Sequence, residues 1–228
     1  MTICTPAGLS SLGTSLGLSQ TTGYSPYLPL LALTVATKWF HLCQVNPAFD
    51  FITSDWFLIL VAILTAVDLI VDLIPGVSTG WHAVHTAITP FLGGFVAAAT
   101  TSGISLPGLS GSQPSIAALA SLSLTGKAAP ILMFLVGFVL SGLVHLHRSG
   151  GRTVTNVAHV FTLGASNIVI SILEDILAVV SIILSFLAPI VMLVIVVIVA
   201  LLLLFTFRYV LRGLRFLKRR TSSRGARV

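Results

Sequence analysis

Charge is what this sequence most lacks. Only 8% of its 228 residues are Asp, Glu, Lys or Arg, against roughly 25% in an ordinary soluble domain. A soluble globule with so few charges could not cover its surface with polar groups. A disordered chain is excluded as well, because such chains are poor in apolar residues and 56% of this one is hydrophobic. The composition therefore predicts a membrane protein with several spanning helices.

Cysteine is scarce too, and basic residues are absent from the start of the chain. The two cysteines, Cys4 and Cys43, form no CxxC pair and no disulfide framework. Because one precedes and the other ends the first apolar stretch, we expect them on opposite sides of the membrane, without a disulfide between them. No Lys or Arg precedes Lys38, so a secretory signal with a basic n-region is not expected.

The apolar runs predict an all-α, polytopic protein with about six transmembrane helices in a single domain over residues 1–207. The predicted spans cover about residues 26–43, 56–74, 81–101, 128–147, 165–187 and 189–207. Before them, Leu9, Leu12 and Leu16 are at helical spacing and predict a short interfacial or re-entrant helix. A short, gapped similarity between the two halves would fit an inverted repeat of three spans each.

The basic residues concentrate in a tail over residues 208–228. Eight of the twelve lie there: Arg208, Arg212, Arg215, Lys218, Arg219, Arg220, Arg224 and Arg227. By the positive-inside rule the tail is cytoplasmic, and counting back over six spans puts the N-terminus inside as well. Anionic lipid headgroups are the expected partner of the tail. Nucleic acid is not expected, since no aromatic interleaving accompanies the charges.

Four of the six acidic residues lie inside predicted spans: Asp68, Asp72, Glu174 and Asp175. An ionisable group at the bilayer centre costs at least about 2.5–3.5 kcal/mol on insertion scales. Such groups face a bundle interior or a wet cavity, and they are the first candidates for a functional site.

The second span and the residues after it supply one candidate cluster. Asp68 and Asp72 are four residues apart and share a helix face, and His82 and His85 follow across a short turn. These four side chains could converge at one depth and would suit a divalent transition metal or a proton relay. HxxH alone is a weak metal signal. Histidines in ordinary hydrogen bonds and neutral or backbone-bonded acids would explain the same residues.

The fifth span supplies a second cluster around Glu174 and Asp175. Adjacent helical residues point about 100° apart, so we expect one of the two to face the bundle centre. Asn167 and Ser171 precede Glu174 by seven and three residues and extend its polar stripe. The expected counter-charges and their neighbour end the fourth span: His145, Arg148 and Arg152. A network that only holds helices together fits this cluster as well as a transport role does.

Four stretches carry a resemblance to a known family. They are Gly23-Tyr24-Ser25-Pro26-Tyr27-Leu28-Pro29-Leu30; Asp68-x-x-x-Asp72-x-x-Pro75-Gly76 with Thr86-x-x-x-Pro90-x-x-Gly93; His145-x-x-Arg148-x-x-x-Arg152 with Asn156; and Asn167-x-x-x-Ser171-x-x-Glu174-Asp175. Over residues 18–190 the chain resembles a bacterial integral-membrane family known as domain of unknown function 4126. The resemblance implies a helical membrane architecture and no established activity.

The chain also departs from that family's pattern. The resemblance implies Arg at Ser25 and Thr89, Glu at Asp68, Lys at Leu73, and acids at Ser78 and His82. Several charged partners in the second and third spans are therefore missing. The charged residues that agree better with the family pattern are Arg148, Arg152, Glu174 and Asp175.

Three functional hypotheses follow for a multi-pass protein of the cell (plasma or inner) membrane. The leading one is a small transporter or permease that handles a proton, cation or small solute through its buried acids. The first alternative is a non-catalytic scaffold or accessory subunit, as a homo-oligomer or in a membrane complex. The second is a lipid-modifying enzyme with Mg²⁺ on Asp68 and Asp72. No nucleophile motif, phosphate-binding loop or zinc-protease signature appears, so an enzyme is disfavoured and no cofactor is implied.

Overall fold

The protein is helical throughout the part that its computed structural model describes, which is residues 9–43, 45–73, 77–101, 128–159 and 165–225. These residues form eight helices and no strand, which confirms the all-α prediction. The helices are α1 (Leu9–Thr22), α2 (Leu28–Lys38), a 3₁₀ helix (Pro47–Thr53), α3 (Asp55–Leu73), α4 (Val77–Ala99), α5 (Ala128–His159), α6 (Ala165–Leu187) and α7 (Pro189–Gly225).

Two described helical segments are long and apolar enough to cross a membrane, Pro130–Gly150 in α5 and Pro189–Tyr209 in α7. A third qualifies if the 3₁₀ helix and Asp55–Val71, bent by 67°, count as one span. These lengths support a membrane protein but do not show six spans. The predicted first span corresponds to α2, whose 11 residues cover only about 16 Å of a hydrocarbon core about 30 Å thick.

Local sequence explains where several helices begin and end. Pro29 lies in the first turn of α2, where its missing N–H costs nothing. The side chain of Asn46 caps the 3₁₀ helix by accepting a 3.0 Å hydrogen bond from the amide of Ala48. Between α6 and α7 the helix is interrupted only at Ala188, directly before Pro189. Ala188 N still donates to the Leu184 carbonyl and Met192 N to the Ala188 carbonyl, whereas Pro189 has no N–H to donate.

Small residues form the centre of the bundle, where α4 packs on α5 and α1 packs against both. A Cβ atom added at Gly137 of α5 would lie 2.6 Å from the Gly93 carbonyl oxygen of α4 and 2.8 Å from Ser19 Oγ of α1. Ser19 Oγ also donates a 3.1 Å hydrogen bond to the Gly137 carbonyl. Glycine lets these backbones approach closely, as is typical of helix contacts in membranes.

The helices α1 and α2 form an antiparallel hairpin against α4. Ser15 Oγ donates to the Ala97 carbonyl at 2.9 Å, and the amide of Asn46, beyond α2, donates to the Ala99 carbonyl at 2.9 Å. Between these two points the chain reaches Tyr27, whose ring centroid lies 5.5 Å from that of His85 in the first half of α4. The hairpin therefore has its open end beside Ala97–Ala99 and its tip beside His85.

The expectation that the chain forms no disulfide is wrong, because Cys43 is disulfide-bonded. The expectation placed a full span between the chain's two cysteines. Instead the described chain runs along α4 in α1 and doubles back in α2. Cys4 lies outside the described residues.

The chain divides into two compact units at residue 196, within α7. The first unit, Met1–Val196, contains the hairpin and the packed part of the bundle. The second unit, Val197–Val228, continues the helix to Gly225. Most of its described apolar side chains, including Val197, Leu201 and Phe205, are exposed, as suits contact with lipid.

Candidate functional site

A buried carboxylate–imidazole pair lies between α3 and α4. Asp68 and His85 are 5% and 1% exposed, and His85 Nε2 lies 3.5 Å from Asp68 Oδ1. The indole Nε1 of Trp81 donates a 2.9 Å hydrogen bond to the same Oδ1 atom. Asp68 thus faces two nitrogen groups from α4, which offsets part of the cost of burying its charge.

Two aromatic rings hold the His85 imidazole in place. The Trp81 ring centroid lies 5.0 Å from that of His85, and Tyr27 packs edge-on from the hairpin tip. Because Trp81 and His85 are four residues apart in α4, they lie on one helix face. The two rings cover the imidazole and restrict its orientation.

A second buried histidine lies across α4. His145 of α5 is 1% exposed, and its Nε2 lies 3.2 Å from Thr86 Oγ1. Adjacent helical residues point about 100° apart, so α4 presents His85 towards Asp68 of α3 and Thr86 towards His145 of α5.

A third polar contact, which we call the Arg148 junction, joins α5, α6 and the hairpin tip. Arg148 Nε donates to Glu174 Oε2 at 2.7 Å, and the two side chains are 4% and 16% exposed. Arg148 Nη1 donates to the backbone carbonyl of Tyr24. The guanidinium therefore compensates a carboxylate of α6 and an orphan carbonyl just beyond α1.

The structure brings several of the predicted site residues together. Asp68 lies beside His85, and Arg148 pairs with Glu174, the member of the acidic pair that faces the bundle. His145 lies one helical turn before Arg148. Asp175 is only partly buried, and Ser171 is 2% exposed one turn before Glu174.

The remaining candidates have side chains outside the described part of the chain: Asp72, His82, Arg152 and Asn167. Among the described residues, no group of three or more His, Cys, Asp or Glu side chains could hold a metal ion. The metal site on Asp68, Asp72, His82 and His85 therefore stays a prediction.

Tyr27 and Trp81 belong to the Asp68–His85 cluster but were not among its predicted residues. Trp81 was foreseeable, since it lies one turn before His85 in the same helix. Tyr27 was not, because only the folded hairpin brings it to α4. Two positions where the family resemblance implies Arg, Ser25 and Thr89, are 3% and 0% exposed, so this chain has neutral hydroxyl groups at buried positions there.

Comparison with known proteins identifies the family. No curated protein and no solved structure matches the chain. A family described as domain of unknown function (DUF4126) matches residues 12–209, which include every described residue of the three polar contacts. The chain belongs to this family, DUF4126, as its four motif stretches predicted.

Proposed function

We propose that this protein is a small multi-pass membrane transporter that moves protons, alone or coupled to a small cation, through its buried ionisable groups. The observation that carries the proposal is the Asp68–His85 pair at 3.5 Å. At this separation an imidazolium and a carboxylate form an ion pair, and an approach of about 0.5 Å would bring them within the hydrogen-bonding distance that proton transfer needs. Intramembrane groups of this kind mark proton relays.

The placement of the other polar groups supports this function. Successive helices α3, α4, α5 and α6 contribute Asp68, His85, His145 and Glu174, each in polar contact with a side chain of a neighbouring helix. Inserting a purely apolar bundle of this size into a membrane would cost less free energy. The presence of these ionisable groups therefore indicates a role that uses their charge or their protons.

Proton flux in proteoliposomes tests the proposal. A pH-sensitive dye inside the vesicles reports proton entry driven by a potassium diffusion potential. We expect Asp68→Asn to lower the protein-dependent flux at least tenfold. The asparagine oxygen still accepts the hydrogen bond of Trp81, while the side chain no longer titrates.

The matched control is Asp55→Asn. Asp55 is an exposed carboxylate at the start of the same helix and pairs with Lys38. Its loss is expected to leave the flux unchanged. A wild-type flux no faster than that of protein-free vesicles, or an Asp68→Asn flux equal to wild type, would contradict the proposal.

The scaffold remains the second candidate, and the Arg148 junction favours it. There a charge is held by a carboxylate and a backbone carbonyl, as in a network that only ties helices together. A scaffold predicts a stoichiometric partner in extracts of native membranes and no proton flux from the purified protein.

We further propose that the tail over residues 208–228 lies on anionic lipid headgroups, since its basic residues follow an apolar helix directly.

A further inference from the structure

We propose that α1 and α2 form a re-entrant hairpin that enters the membrane from the side of Cys43, and that the end of α1 near its tip binds the small monovalent cation or hydrated proton of the transport pathway. The tip is the segment Gly23–Tyr27 between the two helices. The ligand part of this inference rests on the proposed function, whereas the topology does not.

The lengths and directions of the two helices carry the topology. With 14 and 11 residues, α1 and α2 cover about 21 Å and 16 Å, which is short of the hydrocarbon core. Their contacts with α4 show that they run in opposite directions. The open end lies at Ala97–Ala99 and the tip at His85, about 18 Å away along α4. The chain therefore reaches partway through the bundle and returns to the end it came from.

Contacts with α6 agree with this direction. A Cβ at Gly13 would meet the carbonyl oxygen of Pro189, and one at Gly17 would meet Ser185 Oγ at 2.4 Å. The start of α1 therefore lies at the junction of α6 and α7, while the tip contacts Arg148.

The disulfide at Cys43 fits the same arrangement. Disulfides persist on the oxidising side of a membrane, and the chain's other cysteine, Cys4, precedes α1. Non-helical backbone at membrane depth is tolerated only where it is buried in protein or lines a cavity. At the tip, Ser25 is buried and the Tyr24 carbonyl accepts from Arg148.

Two buried oxygen atoms near the Arg148 junction indicate the ligand. Gln20 and Ser171 are each 2% exposed, and Gln20 Oε1 and Ser171 Oγ have no hydrogen-bond partner among the described residues. Gln20 lies one turn before Tyr24 and Ser171 one turn before Glu174, the two groups that hold Arg148.

The chemistry of these oxygens favours a cation. The side chain of Gln20 also hydrogen-bonds the side chain of Tyr24. With its NH₂ group on the Tyr24 oxygen, its own oxygen can only accept, so whatever satisfies Gln20 Oε1 either donates a proton or carries positive charge. The partial negative charge at the C-terminus of α1 favours a positive ligand. Because Arg148 already compensates the charge of Glu174, no full negative charge is left for a multivalent ion, and the region suits a small monovalent cation or a hydrated proton.

The location of the N-terminus tests the topology. An epitope tag at the N-terminus is combined with Asp50→Cys, an exposed position after α2, labelled by an impermeant maleimide. We expect protease to remove the N-terminal tag from the side where residue 50 is labelled. Finding the N-terminal tag and residue 50 on opposite sides would overturn the hairpin, whatever the flux measurements give.

The substitution Gln20→Met tests the ligand. Methionine fills a similar volume without the unpartnered oxygen, so thermal stability without added ion is expected to be unchanged or higher. We expect proton flux to fall at least fivefold. The matched control is Thr22→Val on the same helix, whose hydroxyl donates to its own helix at the Leu18 carbonyl and whose removal is expected to leave the flux unchanged.

Thermal unfolding in sodium and in choline solutions separates the two ligands. If sodium raises the unfolding midpoint of the wild type and not of Gln20→Met, the ligand is an alkali cation. If sodium has no effect and proton flux still falls in Gln20→Met, it is a hydrated proton. If Gln20→Met equals wild type in proton flux and in the effect of sodium on the unfolding midpoint, the proposed cation site is wrong and Gln20 Oε1 binds only structural water. That outcome would leave the Asp68→Asn test of the proposed function unaffected.

Discussion

Replacing Arg148 with methionine is expected to destabilise the protein by about 3–5 kcal/mol, the usual cost of breaking a buried ion pair. Methionine retains the apolar stem but removes the guanidinium. Glu174 is then left with an uncompensated carboxylate, and the Tyr24 carbonyl loses its donor. Reversible unfolding in mixed micelles of increasing SDS content measures the change in free energy.

The double variant Arg148→Met/Glu174→Leu separates charge from packing. It removes both charges, so we expect it to recover much of the stability that Arg148→Met loses, since apolar pairs often replace buried ion pairs without penalty. Lys38→Met breaks the pair to the exposed Asp55 and is expected to have little effect. A stability of Arg148→Met close to wild type would mean that the junction contributes little to folding.

The second large effect is expected from Gly137→Ala, at about 1–3 kcal/mol of destabilisation. The added Cβ would lie 2.6 Å from the Gly93 carbonyl oxygen and 2.6 Å from the Ala97 Cβ. Neither atom can rotate away, so α4 and α5 must separate. The unfolding midpoint in detergent and the retention of a monodisperse species report the loss.

Gly150→Ala is the control on the same helix. Nothing lies within 4 Å of a Cβ at this exposed position, and alanine is intrinsically favoured over glycine in a helix by up to about 1 kcal/mol. We therefore expect unchanged or slightly higher stability. If the two variants have the same unfolding midpoint, α4 and α5 can separate at little cost in free energy.

Parts of the site were predictable because charge is costly in an apolar chain. Glu174 needed a counter-charge, and the few basic residues outside the tail made Arg148 a leading candidate for it. The approach of Asp68 and His85 followed from two polar stretches on either side of one short turn. The scarcity of charge and the order of the residues along the chain were sufficient for both predictions.

Other parts depended on contacts that no local pattern encodes. The backbone carbonyl of Tyr24 became a partner of Arg148, and a backbone group has no signature in the sequence. Apolar length alone also made residues 26–43 look like a full span. Leu28–Lys38 is a shorter helix chiefly because it ends at Lys38, where the chain leaves helical geometry and His41 takes a φ of 48°.

The amino-acid sequence alone indicates that the protein is surrounded by lipid and that its fold is helical. A chain with 8% charged residues and 56% hydrophobic residues can satisfy its backbone in lipid only through helices that bond internally, or through closed barrels. Its long apolar runs select the helices. The tertiary structure decided which buried groups meet and where the chain doubles back. These depend on the close approach of backbones at glycine, and on the pairing of a few charges across helices that are far apart in sequence.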